Sequence, residues 1–261
     1  MVFKKLYKLL SYKELIVSLV GRALRVRYKG SVLGFAWTWL DPLLMMLVFI
    51  LVFDVIRKSR IEHFPVFLLC GIIPWKLFSE TVIASTASIS GNSGLIKRVY
   101  YPREIFPLTL LLSNGVNMLL SFVVLIPVIL IFGLPISINI LFLPVILLFL
   151  FMFTFGLSLI FATLNVFMRD TSHIVKFIIR LWFFLSPIFY SVEDQLSGWL
   201  LNAYMLANPM AVLLTLFRAL LINISAPRPV HIAVSFTICL MVFFLGYAIF
   251  KKHEDLMVKR I

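Results

Sequence analysis

From residue 105 to residue 168 the chain runs for 64 residues without an Asp, Glu, Lys, Arg or His. A water-soluble domain has no use for such a stretch. A membrane-spanning helix takes about 20 apolar residues, so the run holds two spans and a turn. The turn falls at residues 133–139, GLPISIN, where Gly, Pro, Ser and Asn interrupt the apolar pattern. The chain therefore belongs in a bilayer, and its function becomes a question of what crosses one.

The remaining sequence extends this reading. Apolar residues make up 62% of the 261, against roughly 45–50% in soluble domains. The longest stretches without a span, 1–30 and 193–229, are too short for a core of their own. One polytopic membrane domain thus covers 31–261, and 1–30 is a cytoplasmic appendage. Cys70 and Cys239 lie inside apolar segments without CxxC spacing, as small buried hydrophobes. The basic N-terminus is not a cleavable signal, because its apolar stretch at 15–20 is short and runs into Gly21 and Arg22. A net charge of +13 would suggest nucleic acid in a soluble protein. Here the cations flank spans, where they set topology and meet anionic headgroups.

The fold expected is an all-α polytopic membrane protein. Its six transmembrane helices fall at about 33–56, 65–90, 107–133, 141–168, 172–192 and 230–250. With both termini in the cytoplasm, segments 1–30, 91–106, 169–180 and 251–261 carry 8, 3, 3 and 4 Lys or Arg. The outer loops carry Arg57, Lys58, Arg60, Arg218 and Arg228, and Lys76 sits within a span. The excess obeys the positive-inside rule, with 57–60 as the exception. Residues 195–217 are free of charge but broken by Gly198, Asn202, Asn208 and Pro209. They read as two short helices dipping into the outer leaflet, a re-entrant segment between helices five and six.

At the N-terminus, Ser11 and Glu14 have capping-box spacing. Beyond them Leu15, Ile16, Leu19, Val20, Ala23 and Leu24 form one helical stripe, with Glu14, Arg22, Arg25 and Lys29 mostly opposite. This is an amphipathic interfacial helix.

Enzyme chemistry finds no footing. The four histidines are scattered near span ends, and there is no HExxH, DxxD or GxSxG. There is also no GxxxxGK[ST], so any ATP must be held by another chain. Ion-coupled carriers bury acids within spans. Asp41, Asp54 and Glu80 are the candidates; Asp54 is near a span end and Glu80 has Lys76 one turn away, which leaves Asp41 without an obvious partner.

Three segments carry a positive signal. LIKRVYYPREIFP at 95–107 mixes basic and aromatic residues, the composition of a docking surface. RYKGSVLGFAWTWLDP at 27–42 sets two glycines between helices and then brings Trp37, Trp39 and Asp41 within about two turns, with Pro42 loosening a backbone bond near Thr38. FFLSPIFY at 183–190 and YMLANPMA at 204–211 place prolines at helix breaks.

Together, RYKGSVLGFAW at 27–37, VYYPRE at 99–104, SPIFY at 186–190 and NP at 208–209 resemble, in order and spacing, the membrane subunit of the type-two ABC exporters of polysaccharides. That family moves lipid-linked O-antigen, capsule polymers and teichoic acids, and the similarity extends from Lys4 to about Arg260, with O-antigen export the nearest fit. One departure is Asp41 before Pro42, where the family more often has Asn.

The resemblance implies a homodimer of permeases in the bacterial inner membrane, joined to two ATP-binding subunits that carry ATP and Mg. This chain would then be no enzyme by itself and would bind no cofactor or metal. Segment 95–104 would be the coupling helix, with Lys97, Arg98, Tyr100, Tyr101, Pro102, Arg103 and Glu104 seated in a cleft of the ATPase. The amphipathic helix would frame the cytoplasmic gate. Tyr28, Trp37, Trp39, Asp41, Phe183, Tyr190, Trp199 and Tyr204 would contact sugar or gate the pore. Residues 193–222 would close the outer end, and a lipid anchor would enter between spans one and five. On the residues alone two other classes stay open: an ion-coupled carrier working without an ATPase, and a membrane-embedded glycosyl- or acyltransferase. The missing His–acid or metal constellation argues against the transferase.

Overall fold

The computed structural model describes residues 11–56, 61–96, 101–135 and 138–260, and all regular structure among them is helical. The basic cluster at 57–60 and the loop residues Lys97, Arg98 and Tyr100 lie outside the described residues.

Helix α1 (Lys13–Tyr28) lies on the flank of the bundle. A short 3-10 turn, Gly34–Ala36, leads into α2 (Trp37–Phe49), which continues as a wider π-type turn over Ile50–Ile56. Helix α3 (Phe64–Thr86) is followed by two single-turn helices, Ser88–Gly91 and Ser93–Ile96. The charge-free run folds as α4 (Ile105–Ile131) and α5 (Leu143–Phe167), with the chain reversing between them where expected. Then come α6 (Thr171–Leu185), α7 (Gly198–Ala207), α8 (Pro209–Ile222) and the long α9 (Pro229–Arg260).

Five of these stretches are long and apolar enough to cross a membrane: Gly34–Phe53, Phe64–Thr86, Ile105–Ile131, Ile138–Phe167 and Pro229–Met257. Helices α7 and α8 pass the same test only as a pair, bent by 98°. The expected fifth span, 172–192, is shorter than read. Helix α6 stops at Leu185 after 15 residues, a rise of about 22 Å against a hydrocarbon core of about 30 Å. Ser186 is extended ahead of Pro187, the conformation a following proline imposes.

Helix α3 is the hub. It packs against α2, α4, α5, α6 and α8, and is buried on nearly all sides. Its sequence, apolar on all faces from Phe64 to Trp75, suits that position. The most extensive pairing is α5 with α9. Lipid tails are as apolar as leucine, so close backbone approach must supply what water exclusion cannot. Gly156 and Gly246 allow it: a Cβ on Gly156 would stand 2.5 Å from the Val242 carbonyl oxygen, and one on Gly246 would collide with the Gly156 backbone. Interhelical hydrogen bonds, worth about 0.6 kcal/mol each in such bundles, add to this. Asn114 Nδ2 donates to Thr81 Oγ1 at 3.0 Å and Asn165 Nδ2 to Ser90 Oγ at 3.3 Å.

The stripe predicted on α1 is the one that faces inward. Leu15, Ile16, Leu19, Val20, Ala23 and Leu24 are half-buried, while Val17 and Val26 are exposed. The helix lies against α4. The capping box does not form: Tyr12 is the N-cap without a side-chain bond, which puts Glu14 one position too early to answer Ser11. Gly30 (φ 78°) and Gly34 (φ 50°) take left-handed backbone and release α1 from α2.

Candidate functional site

Four charged side chains meet between α1, α2, α3 and α4. Lys76 and Glu80 are one turn apart on α3, Asp41 lies in the first turns of α2, and Arg27 near the end of α1. Lys76 Nζ donates to Asp41 at 2.7 Å and stands 3.7 Å from Glu80. Arg27 donates to Glu80 at 3.0 Å and to Asn114 Oδ1 at 2.7 Å. Asp41, which had no obvious partner in the sequence, is thus the nearer partner of Lys76. Charges at membrane depth are costly unless paired or wet. These are both, because they line a cavity of about 640 Å³ together with Tyr28, Trp37, Thr38, Asn117 and Ser121. The Tyr28 hydroxyl lies 2.6 Å from Thr38 Oγ1 and donates to Asn117 Oδ1 at 3.2 Å. Amides, hydroxyls and ring edges around opposed charges make a wall that can exchange hydrogen bonds with a polyhydroxylated ligand.

A second, apolar groove of about 510 Å³ adjoins the first. Both are lined by Asp41, Pro42, Lys76 and Glu80, so the Asp41–Lys76 pair stands at the divide. The groove runs past Leu44, Val48 and Ile72 to Trp75 and Phe183. There it meets an aromatic cluster. Phe189 stacks on Phe49 (5.6 Å between ring centres) and on Phe53 (4.8 Å), and lies 6.0 Å from Phe183.

The bent pair packs against this end. Helix α6 ends with carbonyls that lack a helical partner, and that of Leu185 is met twice, from α7 and from its junction with α8: the Tyr204 hydroxyl donates at 2.6 Å and Asn208 Nδ2 at 3.1 Å. Asn208 also caps α8 by accepting from Ala211 N–H and receives the Trp182 indole N–H at 3.0 Å. Arg218, read as an outer-loop charge, is instead buried in α8 at 1% exposure.

At the opposite end, residues 101–104 fold back onto the last helix. Glu104, 1% exposed, accepts from Lys251 Nζ at 2.7 Å; Lys251 also holds Glu254 at 2.9 Å; Arg103 Nη1 lies 3.2 Å from Glu254. Tyr101 is buried and packs near Phe106, 5.8 Å between rings.

The sequence pattern of the ABC-2 type transporter family matches residues 14–222, the whole of α1 to α8 apart from the first residue of α1. The chain belongs to that family. An O-antigen export system permease protein of Myxococcus xanthus, RfbA, is 32% identical over 95% of both chains. RfbA of Klebsiella pneumoniae is 30% identical over 97% of this chain and 96% of its own. The polysialic acid transport protein KpsM of Escherichia coli is 25% identical over 94% and 96%. The chain is therefore a membrane-embedded permease of the ABC-2 type, in a family whose members are permease subunits rather than catalysts.

Within this permease the predicted channel residues divide into groups. Tyr28, Trp37 and Asp41 line the polar cavity. Trp39 turns away and donates its indole N–H to the Leu120 carbonyl at 3.0 Å. Phe183, Tyr190 and Tyr204 gather at the aromatic end, whereas Trp199 stands apart at 74% exposure. Of the predicted coupling residues among those described, Tyr101, Arg103 and Glu104 are buried and Pro102 is half-exposed; Lys97, Arg98 and Tyr100 lie outside the described residues. Reading the sequence missed Lys251, Glu254 and Arg218 as partners. Their one signal was charge of both signs at the ends of apolar segments.

Proposed function

We propose that this permease is the membrane subunit of an ATP-driven exporter that carries a lipid-linked polysaccharide, O-antigen above all, from the cytoplasm across the inner membrane. The observation that carries this is the cavity of about 640 Å³ with its charged, amide and aromatic lining inside an otherwise apolar bundle. Sugars offer hydroxyls to the first two and C–H faces to the third, and such contacts tolerate a sliding polymer. The names of the relatives support the substrate class. Two copies would make the conducting unit with two ATP-binding subunits, which hold ATP and Mg. The end carrying residues 88–104 and the close of α9 would face the cytoplasm.

Coupling would enter through segment 95–104. The buried bonds of Arg103 and Glu104 to Glu254 and Lys251 give these two residues a positioning role: they fasten the loop to α9, and α9 is locked to α5 at Gly156 and Gly246. A push on the loop then moves α4, α5 and α9 as one body. Inside, passage from cavity to groove requires the Asp41–Lys76 pair to part. Glu80, already 3.7 Å from Lys76, offers the amine a second carboxylate and lowers the cost. The same pairing weakens the ion-coupled alternative, because Asp41 and Glu80 are each compensated by a cation. Co-expression with the cognate ATP-binding subunit tests the reading: a stable complex with raised ATP hydrolysis is expected. Solute uptake driven by a proton or sodium gradient without that subunit would overturn it.

A further inference from the structure

The guanidinium of Arg218 faces carbonyls where a buried cation would ordinarily face a carboxylate. Its Nε donates to the Phe67 carbonyl at 3.1 Å, Nη2 to that of Ile188 at 2.8 Å, and Nη1 to that of Pro187. Its Cζ lies over the Phe67 ring, 3.6 Å from the ring centre. Burying a cation this way is costly, so the acceptors must need it. Two of them do: the break at Ser186–Pro187 takes the Pro187 and Ile188 carbonyls out of helix α6, and buried backbone carbonyls must be met from within the protein; the third, that of Phe67 in α3, ties the fork to the hub helix. Only arginine presents five donors in a rigid fork. The surroundings are cut to fit, since a Cβ on Gly71 would stand 2.5 Å from Arg218 Nη2 and 3.1 Å from the Ile188 carbonyl oxygen. Beside the clamp a cavity of about 340 Å³, lined in part by Pro187, Glu193 and His231, leaves room for the turn to swing.

The clamped turn is the one that delivers Phe189 and Tyr190 to the aromatic cluster. We propose that Arg218 is a positioning residue for the outer closure: its bonds to Pro187 and Ile188 join the 186–190 turn to α8, so that the bent pair α7–α8 and the Phe189 ring move as one body, and its bond to Phe67 latches that body to α3 in the closed state. This deepens the export reading and rests on it. Opening would then be a single rigid displacement of α8, with Phe189 leaving the stack on Phe49 and Phe53.

The test uses proteoliposomes holding the permease with its ATP-binding subunit and trapped glucose, assayed for passive efflux without ATP. Two variants perturb the clamp from opposite sides. Arg218→Lys keeps the charge but loses the fork. Gly71→Ala keeps Arg218 and crowds its Nη2. Both are expected to raise passive efflux by about tenfold, the bias that one lost hydrogen bond to a charged group imposes on a two-state closure. ATP hydrolysis should stay near the wild-type rate. A merely stabilising role would lower the melting temperature and leave efflux unchanged; wild-type efflux from either folded variant overturns the proposal. Failure of both variants to assemble also counts against it, because a positioning residue leaves the bundle intact. Absence of a complex with the ATP-binding subunit would strike the export reading alone, since efflux needs no ATP.

Discussion

Lys251→Met should damage the permease far more than Glu104→Gln, although the two residues share one 2.7 Å bond. The asymmetry follows from who keeps a partner. In the Lys251 variant the Glu104 carboxylate, 1% exposed, loses its ammonium; Glu254 retains Arg103 at 3.2 Å. Removing one partner of a buried ion pair costs about 3–5 kcal/mol, because the other charge is left stranded. In Glu104→Gln the ammonium still holds Glu254 at 2.9 Å, and the amide oxygen can still accept. The loss shrinks to a charge-assisted bond made neutral, about 1–2 kcal/mol. Replacing both, as Lys251→Met with Glu104→Leu, removes the stranded charge and should recover about 2 kcal/mol of the Lys251 cost. Unfolding by increasing SDS in mixed micelles, followed by circular dichroism, gives the three values. Polymer exported per ATP hydrolysed should fall in the same order. Equal losses from the two single variants, or strict additivity in the double variant, would refute the idea that this cluster is a buried, cooperative fastening.

Other expectations follow from the same geometry. Asp41→Asn should change stability by less than about 1 kcal/mol, since the pair is partly exposed, and should keep polymer export; Lys76→Met, which leaves Asp41 without its 2.7 Å partner, should reduce export in the same assay. Gly156→Val should force α5 from α9 and cost about 3 kcal/mol, read as a lower melting temperature. Arg27→Ala should alter global stability by less than about 1 kcal/mol yet speed proteolysis and hydrogen exchange across α1, because it removes the bonds to Glu80 and Asn114.

What could be read from the sequence was what local physics decides. The charge-free run located α4, α5 and the reversal between them, because length and hydropathy alone settle a span. Asn208-Pro209 announced the bend of α7–α8, since a proline at the start of a helix with Asn before it is a local signal. The inward stripe of α1 was legible from its periodicity. The partners were not. Arg218 was placed in a loop because a cation usually marks water, and its acceptors Phe67, Pro187 and Ile188 come from distant parts of the chain. Arg103 and Glu104 were read as surface contacts for the same reason: Lys251 and Glu254 reach them only after five further helices have formed. Asp41 found Lys76 across α2 and α3, a meeting that depends on how two helices cross. Helix α6 was carried too far because its aromatic residues continue past the Ser186–Pro187 break, and apolarity was allowed to outweigh the proline.

The central claim is that ATP hydrolysed by a partner drives a polysaccharide through this chain. Its most direct measurement is protection of a labelled lipid-linked O-antigen from added glycosidase, in proteoliposomes that hold the permease and its ATP-binding subunit with the nucleotide sites facing the polymer. The account predicts protection that accumulates with ATP and is absent with a non-hydrolysable analogue. No ATP-dependent protection, together with ion-driven solute transport by the permease alone, would contradict it.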